Sequence, residues 1–218
     1  MDVNEENKYL KNLNNLLKGL KSPDSFTVAN AIRQIGEMGN KIPVNVQKDV
    51  IKQILELTAG KDHTIQLYAT MALGSLKNST PIDMQAHVAQ RLLELSKDTE
   101  WGVRGHAVIS LGKLKYNIPY SFRLKVIKRV FKLTRDEKDQ VRGFASIALG
   151  SLKYLIPRPM RSVVIKELLN MTCEEEIKKP VLESLGNLSE IIPQYRKKDV
   201  VRRLVELARE DDGVGVTA

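Results

Sequence analysis

Cysteine occurs once in the 218 residues, at Cys173. That excludes an internal disulfide and any cysteine-based zinc knuckle, and it agrees with a reducing compartment. A lone thiol of this kind reads as a small helix-packing residue. Histidine is almost as scarce. His63, His87 and His106 lack a second histidine at i+3 or i+4, the spacing that would put two imidazoles on one helical face for a metal. Glycine-rich phosphate loops and Gly-x-Ser-x-Gly elbows are missing, so no cofactor is expected. No stretch approaches the roughly 20 apolar residues a membrane span needs. Residues Met1 to Asn7 are acidic and polar, where a secretory signal is basic and then apolar. These absences lead to the expectation of a cytoplasmic protein with no membrane association. Strand-like alternation is absent too.

What the chain does have is a composition of 42% hydrophobic and 28% charged residues, that of a soluble folded domain. Its length suits one domain or one repeat array. Lys and Arg number 35 against 26 Asp and Glu, a net charge of +9, which allows an acidic partner.

The strongest pattern is internal repetition. Ile35-Gly36, Leu73-Gly74, Leu111-Gly112, Leu149-Gly150 and Leu185-Gly186 recur at near-constant spacing. Seven residues after each glycine stands a proline: Pro43, Pro81, Pro119, Pro157 and Pro193. Five before it come Ala31, Ala69, Ala107, Ala145 and Val181, and fourteen after it Val50, Val88, Val126, Val164 and Val200. Each unit reads as two helices. The first ends just past the glycine, and the proline starts the second, because proline is tolerated in a first turn and disfavours helix in the residue before it. Phe122, Val126, Ile127, Val130, Phe131 and Leu133 form a helical stripe wide enough to touch neighbours on two sides. The recurring alanine allows close helix approach.

Asp98 to Leu114 places Asp98, Val103-Arg104, Ala107 and Leu111-Gly112-Lys113-Leu114 in order, and Asp136 to Leu152 repeats the arrangement with Val141-Arg142, Ala145 and Leu149-Gly150. This resembles the HEAT repeat signature, over about residues 24 to 212. The resemblance implies an all-α fold: a right-handed α-α superhelix (an armadillo-like solenoid) with first helices on the convex side and second helices lining the concave side. Residues 1–218 then form a single array: an N-terminal cap helix over 1–23, repeats over 24–62, 63–98, 99–136, 137–173 and 174–211, and 212–218 as a tail or the start of a truncated sixth repeat. The Val-Arg step is missing from repeats one (Thr27-Val28), two (Ile65-Gln66) and five (Ile177-Lys178), so no Asp-Arg ladder is expected along the whole length. Leu10, Leu13, Leu16, Leu17 and Leu20 make one narrow stripe amid Lys and Asn, as a cap with one wet face requires. The last helix keeps a wide apolar face (Val200, Val201, Leu204, Val205, Leu207, Ala208), and Asp211-Asp212-Gly213-Val214-Gly215 looks like another repeat opening. Either the stack continues in a longer chain or a second copy covers this end, by end-to-end self-association.

A binding role is expected, not catalysis. The di-iron hydroxylases that resemble HEAT arrays carry His-Glu pairs, and this chain has no His-Glu dipeptide. HEAT-like alkylpurine DNA glycosylases need the least signature. Asp98 and Asp136 would serve there, but their place in the repeat reads as inter-repeat hydrogen bonding. The candidate partner surface is a basic stripe on the second helices. Sixteen residues after each glycine stand Lys52, Gln90, Lys128, Lys166 and Arg202, and the next position adds Arg91, Arg129 and Arg203. From Pro119 to Arg135 the chain carries Arg123, Lys125, Lys128, Arg129, Lys132 and Arg135 with no acid, and Arg161 follows in repeat four. The doublets Lys115-Tyr116 and Lys153-Tyr154 add two tyrosines able to anchor a peptide or stack on bases. The first expectation is a scaffold holding an acidic or helical segment of a protein partner in a concave basic groove. The alternative is nucleic-acid binding through phosphate contacts by repeats three and four.

Overall fold

The computed structural model describes the backbone of residues 3–211 and the side chains of residues 9–209. The described residues form eleven α-helices joined by short turns, with no strand among them. Helix α1 (Val3–Gly19) precedes five pairs: α2 (Ser25–Met38) with α3 (Val44–Leu57), α4 (His63–Ser75) with α5 (Ile82–Leu95), α6 (Trp101–Leu114) with α7 (Tyr120–Leu133), α8 (Asp139–Ser151) with α9 (Arg158–Met171), and α10 (Lys178–Asn187) with α11 (Lys197–Asp211).

Local sequence sets the boundaries. Asp24 and Asp62 cap α2 and α4, accepting the amides of Thr27, and of Thr64 and Ile65; a short acidic side chain satisfies donors that no helical carbonyl reaches. Pro43, Pro81, Pro119 and Pro157 each occupy the N-cap of a second helix. The residue before each is extended, as proline demands, and Ile42, Ile118 and Ile156 use that geometry to point into the core.

The pairs stack into a solenoid. Each first helix lies on the first helix of the next pair, α2 on α4, α4 on α6, α6 on α8 and α8 on α10. Each also meets the preceding second helix, α3 with α4, α5 with α6, α7 with α8 and α9 with α10. The periodic glycine makes the first of these contacts. A Cβ on Gly36 would lie 3.3 Å from the Cα of Ala72, on Gly74 2.8 Å from that of Ser110, on Gly112 3.0 Å from that of Ala148, and on Gly150 3.1 Å from that of Ser184. Each partner stands two residues before the next glycine, so small residues face each other across every joint. The last glycine, Gly186, meets nothing within 4 Å. The five periodic valines are all buried.

At the N-terminus α1 packs on α2. It buries Leu13, Leu16 and Leu20 and leaves Lys11, Asn12, Asn14, Asn15 and Lys18 in solvent, the one-sided pattern of a cap. At the other end Val200 and Leu207 are buried, whereas Val201, Leu204 and Val205 are 59%, 41% and 45% exposed. Beyond Asp211, the repeat-like opening read in the sequence lies outside the described residues.

Candidate partner-binding surface

Polar clasps between repeats decide which cations remain for a partner. Arg104 grips Asp136 with two hydrogen bonds, of 2.8 and 2.9 Å, and donates to the carbonyls of Asp98 and Thr99. Both side chains are about nine-tenths buried. Burial works against ionising Asp136, but the Arg104 hydrogen bonds and the Lys138 amide hold its carboxyl below the usual range. Arg142 repeats the arrangement with Glu174 and the carbonyl of Asp136. In repeat two Gln66 stands in for the arginine and reaches the carbonyl of Thr58 and the His63 ring, but no acid of the next repeat. Among the described residues, the Arg-acid ladder therefore runs through repeats three and four.

A second clasp lies on the second helices. Thr58, Ser96, Thr134 and Thr172 recur every 38 residues, each the C-cap of a second helix and fully buried. Each hydroxyl donates back to a carbonyl three residues earlier. It then accepts from the arginine of the next repeat: Arg91 on Thr58, Arg129 on Ser96 and Arg203 on Thr172. Arg91 and Arg129, counted in the basic stripe from the sequence, thus hold helix ends together. Burial pulls the Arg129 guanidinium down from its ordinary value. In repeat four Glu167 takes the arginine's position, and Arg135 binds it at 2.7 and 2.6 Å. The signal for these clasps was in the sequence: a hydroxyl at a fixed 38-residue interval, 31 to 33 residues before an arginine.

What remains is a narrower set. Lys52, Lys125, Lys128, Lys132, Lys166 and Arg202 are exposed and form no hydrogen bond or ion pair with the described residues. Lys125, Lys128 and Lys132 share one face of α7, since residues three and four apart are helical neighbours. Like charges at such spacing cost a helix a few tenths of a kcal/mol each, about 0.2–0.5, and no acid on α7 offsets this. Lys166 occupies the position of Lys128 one repeat on, about 8–10 Å away by ordinary helix packing. Arg123 and Arg161 each donate Nε to the carbonyl of the buried pre-proline isoleucine, Ile118 and Ile156. Arg123 also lies 5.8 Å from the Tyr120 ring.

The two doublets behave differently. Lys153 and the Tyr154 hydroxyl both bind Glu190 of the next repeat, each at 2.8 Å. Tyr116 is 63% exposed. Sequence reasoning missed Tyr120 and Leu124, 86% and 48% exposed, which flank a cleft of about 480 Å³ between repeats three and four. The signal for Tyr120 was an apolar residue directly after the proline, as at Val44 and Ile82, 83% and 86% exposed.

No group of three or more His, Cys, Asp or Glu that would hold a metal exists among the described residues. His63 and His87 are exposed on separate helices. The His106 ring lies 5.3 Å from that of Phe144 at a tilt of 46°, and burial, with Lys113 nearby, lowers its pKa. No described helix is long and apolar enough to cross a membrane.

No protein-family model and no curated protein sequence matches this chain. Solved structures match its fold. A designed armadillo repeat protein is 17% identical with 91% of each chain covered and a TM-score of 0.63. Another designed armadillo repeat protein, in complex with the peptide (KR)4, is 18% identical, covering 82% of this chain and 87% of that one at 0.60. The complex of CpcE and CpcF of phycocyanin lyase from Nostoc sp. PCC7120 is 15% identical, covering 80% and 98% at 0.58. The fold is an armadillo/HEAT-like solenoid.

Proposed function

We propose that this chain is a non-catalytic scaffold that holds an acidic segment of a protein partner against its second helices, the concave side in a HEAT arrangement. The carrying observation is the lysine face of α7. Lys125, Lys128 and Lys132 are exposed on a helix without acids and form no ion pair with the described residues, Lys125 lying 5.6 Å from the Phe122 ring, while the arginines beside them are engaged in joining repeats. Fixed cations a few ångströms apart focus a positive potential that attracts an anionic chain. One structural neighbour holds the cationic peptide (KR)4; the cationic face here calls for a partner of the opposite sign.

Fluorescence anisotropy tests this reading. A labelled glutamate-rich peptide is expected to bind at near-physiological salt, and the K125E/K128E/K132E variant to lose at least tenfold in affinity with unchanged circular dichroism. Tighter binding of single- or double-stranded oligonucleotides than of the peptide, with a steep salt dependence, would shift the reading to nucleic acid.

The uncovered face of α11 supports a second reading, end-to-end self-association through Val201, Leu204 and Val205. Light scattering at high concentration would then report a dimer that Leu204→Lys abolishes. A monomer in both proteins would dismiss it.

A further inference from the structure

We propose that the cleft between repeats three and four seats an apolar side chain of the same acidic partner, giving the segment a fixed register; this rests on the scaffold reading above. The cleft of about 480 Å³ is walled by Leu124, Leu155 and Pro157 and flanked by Tyr120 and Tyr154. Tyr120, Leu124 and Tyr154 stay 86%, 48% and 55% exposed, so its apolar surface is open to a ligand. Rigid aromatic rims of this kind supply contact area at low entropic cost, one reason tyrosine concentrates at binding hot spots.

Charge fixes the occupant's chemistry. Arg123, in the cleft wall, has its Nε on the Ile118 carbonyl and its guanidinium 5.8 Å from the Tyr120 ring, which orients it and leaves its two terminal nitrogens without a hydrogen bond to the described residues. That fork suits a carboxylate. The nearby acid, Glu190, is already taken by Lys153 and Tyr154. Leu124 and Lys128 are four residues apart on α7, so cleft and lysine face are successive turns of one stripe. One helical turn advances about 5.4 Å, and an extended chain covers that in under two residues at about 3.3 Å each. The occupant is therefore an extended peptide in which a leucine-sized or aromatic anchor is followed at once by a run of carboxylates. The first carboxylate meets Arg123 and the later ones meet Lys125, Lys128 and Lys132.

Three labelled peptides separate the parts: one leucine followed by four glutamates, the same with the leucine replaced by glycine, and the leucine followed by four glutamines. Anisotropy at near-physiological salt is expected to rank the first at least tenfold tighter than either other. Leu124→Gln, at an exposed position, should erase the advantage of leucine over glycine and leave the glycine peptide's affinity unchanged. Equal binding of the leucine and glycine peptides to the unmodified protein overturns the cleft while the lysine face stands. Failure of every peptide alongside binding of a single-stranded oligonucleotide overturns both.

Discussion

Gly74 and Gly186 occupy the same place in their repeats, and the same substitution to alanine should act on them with opposite sign. In an isolated helix, glycine to alanine stabilises by about 1 kcal/mol, because glycine gives up more backbone freedom. At Gly74 the new methyl would lie 2.8 Å from the Cα and 2.7 Å from the Cβ of Ser110. Carbon atoms settle at about 3.5–4.0 Å, so helices α4 and α6 must separate by the better part of an ångström. The nearest atom, the Ser110 Oγ at 2.6 Å, could rotate away only by giving up its bond to the Thr70 carbonyl, and the Cα and Cβ cannot yield without moving the helix. Overpacking of this kind costs about 1–3 kcal/mol, and the parted helices also strain the Ser110 hydroxyl bond to the Thr70 carbonyl. The net expectation for Gly74→Ala is destabilisation by up to about 2 kcal/mol. At Gly186, with nothing within 4 Å, the propensity gain stands unopposed at about 0.5–1 kcal/mol of stabilisation. For a chain of this size each kcal/mol moves Tm by about 2–4 °C. Urea and thermal unfolding followed by far-UV circular dichroism measure both variants. Two changes of the same sign would refute close helix approach as the reason for the periodic glycine.

Arg104→Ala strands the buried carboxylate of Asp136 and is expected to cost about 3–5 kcal/mol in the same assay, with Arg142→Ala costing less because its pair is more exposed. Asp136 has a depressed folded-state pKa. Its contribution is present above the unfolded value of about 3.9 and is lost as pH falls through the folded one, so acid unfolding should soften in Asp136→Asn. His106 is also depressed. The unfolded chain therefore binds its proton first, and stability is lost as pH falls below about 6.5; His106→Leu should flatten that part of the profile. Lys115 adopts φ +47, the conformation that Gly39 takes at φ +54 in repeat one. Such backbone strains a side-chain-bearing residue by about 1–3 kcal/mol, so Lys115→Gly is expected to raise the urea midpoint.

Sequence alone determined the helix pairs and their register, because these depend on interactions close along the chain. Pro119 favours a helix start through its fixed φ and its effect on the residue before it, and the leucines of α1 lie on one face by the helical period alone. The all-helical solenoid followed from that local repetition. Tertiary structure decided which charges are free. Arg129 and Lys128 are adjacent on the same helix and indistinguishable as cations, yet one reaches back to Ser96 across the joint and the other points into solvent. Arg135, counted as a surface charge, meets Glu167 of the next repeat. Two doublets of identical sequence, Lys115-Tyr116 and Lys153-Tyr154, part company because a glutamate follows one repeat after the second and not the first. The sequence periodicity places residues within a repeat. Only packing one repeat on another brings together side chains some 32 to 38 positions apart, and those contacts fix which residues face a partner.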